Sequence, residues 1–375
     1  MADHLVQRTI IHQVILQSRG QVFNQPVPRV SAILLAILFL SANAEAQLVD
    51  TVFAKYKPQV DLAVDRGLAY LASAQKEDGT FGGTYGESTG VVSLVGMAFL
   101  SKGNLPGEGP YGDTVNRCID YVLASQKPNG LLVQDDAGHG PMYAHNISTL
   151  FLSEISGMVD PSRQAILQQT LARATKLLLD AQAVNKSIKN RGGWRYHPDS
   201  IDSDLSCSGW AFMALKSARL NGARVPDEAI QSAVSYVLRN HDQATGTFGY
   251  TNPTEHADTL TGCGILCLEL AGYHGADHLN RAGDIVLESC KILATKDHQF
   301  YANYYNAQAM FQLGGKYWER YAKWMSQTYL PKQAPDGSWL GIKFGSAYTT
   351  SMVILSFTVP YRQLPIYQRD ETVDE

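Results

Sequence analysis

Two kinds of apolar pattern alternate along the chain from about Val64 onward. One repeats at helical spacing and leaves a polar face. In VDRGLAYLASAQ, from Val64 to Gln75, residues Leu68, Leu71 and Ala72 fall on one stripe, which predicts an amphipathic helix lying on a core. The other kind is apolar almost all round: VVSLVGMAFLSKG, opened by Ser88-Thr89-Gly90, predicts a helix enclosed on every side. Between the two sits Asp78-Gly79, a turn in which glycine accepts a positive φ, followed by Phe81-Gly82-Gly83.

The same unit recurs at a period of roughly 50 to 60 residues, the signature of a repeat architecture. A second copy runs CIDYVLASQKPNG from Cys118 and HNISTLFLSEISG from His145. The third runs ATKLLLDAQ from Ala174, then Gly192-Gly193-Trp194, then DLSCSGWAFMALKSARLNG from Asp204. The fourth pairs IQSAVSYVLRNHDQATGTFGY from Ile230 with HADTLTGCGILCLELAGYHG from His256. A fifth, the most eroded, pairs the segment from Glu288 with NYYNAQAMFQLGG from Asn303; the sixth joins Tyr317, Gln333 to Trp339 and SAYTTSMVILSFTVP from Ser346. Six helix pairs predict an all-α fold, an α/α toroid whose inner ring is apolar and whose outer ring is amphipathic. An open solenoid would carry polar caps on its terminal units, and the outer units here are as apolar as the central ones. Residues 63–362 read as one domain, with a short lead-in over 47–62 and an acidic tail over 363–375.

The amino terminus carries a separate signal. Ser31 to Leu40 (SAILLAILFL) is apolar, follows Arg29, and precedes small residues up to Ala46. It falls below the roughly 20 residues a spanning helix needs. It reads as a signal peptide over residues 1–46, with an uncleaved anchor as the alternative. The expectation is an exported protein, periplasmic or extracellular, with membrane contact through any retained tether. The net charge of −4, without a basic cluster, excludes nucleic acid as a partner. The five cysteines are odd in number and scattered; Cys263 and Cys267 share a helical face at a spacing poorly suited to a disulfide. No CxxC pair or Cys/His cluster suggests a metal or cofactor.

The segments Gln75 to Phe81 (QKEDGTF) and Gln333 to Trp339 (QAPDGSW) resemble the repeat motif of squalene and oxidosqualene cyclases, with weaker copies at Gln126–Gly130 and Gly246–Gly249. Protein prenyltransferase β-subunits and complement-like thioester domains share the helix-pair architecture. The resemblance implies a terpenoid-cyclase-like toroid over nearly the whole mature chain. It also implies that the motif is a brace, its Gln bonding backbone at the start of the next inner helix. Class II terpene cyclases protonate an alkene with an aspartic acid of a DxDD motif and stabilise the cation with aromatic faces. Here Asp202-Ser203-Asp204-Leu205 matches the first and third acids, and aligning on Trp210 shifts the register by one. Asp204, with Ser206, equally suits an N-cap. A prenyltransferase zinc pair would need Asp204 and Cys207 one residue closer, and a thioester would need Glu-Gln where Ile265-Leu266 follow Gly262-Cys263-Gly264.

The inner-helix starts converge on one mouth of the ring. The candidate catalytic residues are Asp204 and Asp202, with His256 and Asp258 as their neighbours from the next unit. Candidate ligand-binding residues are Trp194, Tyr196, Trp210, His145, Tyr304, Tyr305 and Tyr348. Three readings stay open: an isoprenoid-handling, cyclase-like enzyme acting on a hydrophobic small molecule; a non-catalytic toroid binding a ligand or a protein partner; and a carbohydrate-active enzyme using Asp202, Asp204 and Asp258 with Arg191 and Arg195.

Overall fold

In the computed structural model, residues 54–134, 140–341 and 343–367 are described; the segment read as a signal peptide lies outside them. The described chain contains α1 (54–74), α2 (Thr89–Ser101), α3 (Gly112–Ala124), α4 (Met142–Glu154), α5 (Pro161–Ala183), α6 (Leu205–Leu220), α7 (Asp227–Arg239), α8 (Ala257–Leu270), α9 (Asp277–Leu293), α10 (Gln299–Leu313), α11 (Gly315–Tyr329) and α12 (Ser346–Phe357). α1 starts at residue 54, so the helix takes in much of the segment expected to be a lead-in. The reason is packing: Val60, Ala63, Val64, Leu68 and Leu71 continue one buried stripe at helical spacing.

The two apolar patterns separate into two layers. All thirteen residues of α2 are buried. α3 buries only Gly112, Thr114, Val115, Cys118, Ile119 and Val122, a single stripe that leaves the opposite face to water. Each such aliphatic side chain contributes about 1.5–3 kcal/mol on burial. Around the inner layer, α2 packs on α4, α4 on α6, α6 on α8, α8 on α10 and α10 on α12. α12 returns to α2, which closes the ring.

The repeat turns fasten the outer layer. Gln75 Nε2 donates to Gly79 O (3.3 Å) and to Thr114 O of α3 (3.2 Å). Gln126 repeats this toward Gly130 O and Thr170 O of α5, and Gln182 toward Gly192 O and Ala229 O of α7. Gln333 donates to Gly337 O (2.9 Å) and to Ala63 O of α1 (2.7 Å), which joins the last unit to the first. The brace therefore runs to the neighbouring outer helix, not to the next inner helix as the resemblance suggested. Geometry explains the difference: the turn lies at the C-terminal end of an outer helix, beside the carbonyls of its outer neighbour. Gly337 has φ +92°, and a Cβ there would stand 2.4 Å from Arg66 O. Gly79 meets Arg117 O in the same way at 2.6 Å. Asp78 and Asp336 complete their turns by accepting the N–H groups of Thr80 and Ser338, both at 3.0 Å.

The far end differs from expectation as well. The chain does not leave the domain at residue 363: Leu364, Ile366 and Tyr367 are each 2% exposed. Their contacts lie among the C-terminal ends of the inner helices.

Candidate active site at the mouth of the inner ring

Asp204 sits at the start of α6 and is fully buried. An antiparallel bridge pairs it with Trp194, the Asp204 N–H donating to Trp194 O at 3.0 Å, so the loop before α6 folds back against the helix start. Its Oδ1 accepts the Cys207 N–H at 2.8 Å, an N-cap bond. Its Oδ2 takes the Arg195 guanidinium at 3.0 Å. Arg195 also reaches Asp202 through Nε (3.2 Å) and donates to the Tyr250 hydroxyl (2.8 Å). The guanidinium lies 4.2 Å from the Tyr196 ring centroid and 5.3 Å from that of Tyr250, whose hydroxyls are hydrogen-bonded to each other. Burial pushes the Asp204 carboxyl up to about 6, while the Cys207 N–H and Arg195 pull it down. Both oxygens are taken up by these partners, whereas an alkene-protonating acid needs a carboxyl whose proton faces the substrate.

The remaining candidates separate by depth. His256 is exposed, in a left-handed conformation, edge-on to Tyr250 at 5.7 Å. Asp258 is ion-paired with Lys296, which outweighs burial and holds its carboxyl below the usual range. Neither joins Asp204, and Asp202 is spent on the same arginine. The paired open carboxylates of a glycosidase are therefore not assembled from these residues. Trp194 is buried, with Nε1 donating to Leu178 O at 2.8 Å. His145 is buried, and its Nδ1 accepts the Leu132 N–H at 3.1 Å. Trp210 stacks on Tyr304 (centroids 4.9 Å) and meets Tyr305 edge-on at 5.4 Å. That contact spans from α6 to α10, so aromatic rings fill the interior at the level of the second helical turn. These five residues are core, not rim. Among the described residues no His, Cys, Asp and Glu group is placed to hold a metal ion, and all five cysteines are buried and free.

One turn nearer the mouth the picture changes. Tyr143, Ser206, Tyr301 and Tyr348 occupy the first turns of α4, α6, α10 and α12, and all keep part of their surface open. The Tyr143 hydroxyl bonds Ser206 Oγ at 2.6 Å, and the Tyr301 hydroxyl donates to Ser206 O at 3.2 Å. Tyr143 also packs against Tyr196 (5.8 Å) and Tyr301 against Tyr305 (5.0 Å). On the other wall, Phe344 contacts Tyr348 (5.4 Å), His298 (5.8 Å) and Tyr85 (6.2 Å). Burial pushes the phenols of Tyr143, Tyr301 and Tyr348 well above their ordinary range. These tyrosines stand at the mouth, above the Trp210–Tyr304–Tyr305 stack, and keep part of their surface exposed. Lys186, which is buried, seals the loop behind Asp204 by donating to Gly193 O at 2.6 Å; burial lowers its pKa to about 8. Tyr143, Tyr250, Tyr301 and Lys186 were not singled out from sequence. The available signal was an aromatic in the first turn of several inner helices.

A closed double ring of helix pairs, with an aromatic mouth at the inner-helix N-termini and an acidic residue capping one of those helices, is a terpenoid-cyclase-like α/α toroid. Among solved structures, the type II terpene cyclase MstE from Scytonema, in its apo form, superposes with a TM-score of 0.53, covering 82% of this chain and 99% of that chain at 14% sequence identity. A variant of MstE in complex with merosterolic acid A, its product, gives a TM-score of 0.50 over 80% of this chain and 96% of that chain at 13% identity. At these identities the likeness concerns the fold alone. No family model and no curated protein matches the chain.

Proposed function

We propose that this protein is a non-catalytic toroid of the terpenoid-cyclase fold that holds an apolar, isoprenoid-like group against the tyrosines at the inner-helix mouth. The observation that carries the reading is the pairing of Asp204 with Arg195 and Cys207 above the Trp210–Tyr304–Tyr305 stack. The acid that would start cyclisation is buried with both oxygens bonded, whereas the tyrosines above it keep part of their surface exposed. Merosterolic acid A is the product named for MstE, and an isoprenoid-like ligand is carried here only as part of this proposal. Apolar surface with a few hydroxyl groups at its rim is the composition expected of a small-molecule site.

Geranylgeraniol, an acyclic isoprenoid alcohol, serves as probe. Titration followed by intrinsic fluorescence is expected to saturate in the wild type. Tyr301→Ala is expected to weaken binding by about tenfold, the loss of one well-placed aromatic face and its apolar area. Tyr273→Ala, at an exposed position after α8, leaves it unchanged. Equal weakening by both substitutions, or by neither, sinks the proposed site. Export with removal of residues 1–46 belongs to the same reading, and N-terminal sequencing of secreted material tests it.

A further inference from the structure

The end of the ring opposite the aromatic mouth is occupied by the chain's own last described residues. After α12 the chain forms two single turns, Val359–Tyr361 and Pro365–Tyr367. Between them Arg362 lies over the Phe311 ring of α10, 5.3 Å from its centroid. The Tyr361 hydroxyl bonds Asp61 of α1 at 2.6 Å. The Ile366 N–H donates to Glu154 Oε2, in the last turn of α4, at 3.1 Å, and the Tyr367 hydroxyl donates to Leu355 O of α12 at 3.3 Å. Pro365–Tyr367 also packs on α6. One short segment thus touches α4, α6, α10 and α12, which places it across the inner ring.

We propose that residues 359–367 are a plug closing this end of the ring, latched by the carboxyl of Glu154, and that loss of the Glu154 proton releases it. Glu154 is fully buried, and Ser217 Oγ of α6 shares a hydrogen bond with its Oε1. Among the described residues, the groups facing it are Ser217 from α6, Tyr304 from α10, and Ile366 and Tyr367 from the plug itself, and none of these four carries a positive charge. In the neutral acid, the proton on Oε1 goes to Ser217 Oγ and Oε2 accepts the Ile366 N–H, so both oxygens are satisfied. The anion would be a buried charge without a cation, which is costly. The plug, a short segment of two single turns after the last helix of the ring, is the element that yields with least disruption.

Burial pushes Glu154 up to about 7, with Ser217 and Ile366 acting in the opposite sense. A carboxyl whose folded value is raised favours the latched state fully below its ordinary value near 4.5, and that favour is lost as pH rises through about 7. Hydrogen exchange of the full chain, corrected for intrinsic rates, reads the Ile366 amide directly. Between about pH 5 and about pH 7 its protection is expected to fall, approaching tenfold per pH unit, and to level off above about pH 7. Glu154→Gln keeps a neutral donor and acceptor in place and is expected to leave protection independent of pH. Constant protection in the wild type, or a parallel fall in Glu154→Gln, overturns the latch. The inference does not depend on what the aromatic mouth binds.

Discussion

Asp204 combines a helix cap with half of an ion pair, and the two roles respond differently to substitution. In Asp204→Asn the side-chain oxygen can still accept the Cys207 N–H, and the loss of the Arg195 ion pair is offset by the loss of a buried anion; stability is expected to change by about 1 kcal/mol. Asp204→Ala removes the cap and leaves Arg195 with exposed Asp202 and the Tyr250 hydroxyl, at an expected cost of about 3 kcal/mol. Urea unfolding midpoints at unchanged slope measure both. The cap was legible in the sequence because Asp before an apolar run favours that position. The arginine was not legible as a partner, since Arg195 reaches Asp204 only through the bridge at Trp194, a loop contact that no periodicity encodes. At the mouth, Tyr348 lies in the first turn of its helix, whereas Tyr304 and Tyr305 lie about one turn below Tyr301. Whether Tyr301 or Tyr304 faces the mouth depends on where α10 starts, and helix ends are uncertain by a residue or two from pattern alone.

At the scale of elements, the repeat turn is what spaces the outer helices. Its glycine lies against a neighbouring carbonyl, so Gly337→Ala faces both a positive φ and a backbone clash. It is expected to cost about 2–4 kcal/mol, well beyond the roughly 1 kcal/mol for Gly157→Ala, where φ is +86° and nothing lies within 4 Å. Gln333→Ala, which unties α1 from the last turn, is expected to cost about 1–3 kcal/mol. Thermal or chemical unfolding of the three variants side by side checks the ranking. The helices themselves were readable because their apolar periods differ: all-round for the inner ring, one-sided for the outer. Gln182 was not recognised as a brace because Lys186 to Arg191 separate it from Gly192, whereas the other copies keep the Gln four residues before the Gly.

The described chain is a closed ring with two unlike ends. The inner-helix N-termini open onto tyrosines that retain surface, and the C-termini are covered by the chain's own segment through Tyr367. Closure was foreseeable from six apolar units without polar caps; the covering of the far end was not, because Gln363 to Glu375 reads as a polar, acidic tail whose few apolar residues show no period. Trp210 of α6 and Tyr304 of α10 stack across the ring interior below Asp204. Mass-spectrometric recovery of geranylgeraniol after prolonged incubation tests this account most directly. Saturable binding is expected, with the ligand recovered unchanged, identically for the wild type and Asp204→Asn; a cyclised product formed by the wild type and lost in Asp204→Asn would make Asp204 an initiating acid and overturn the non-catalytic reading.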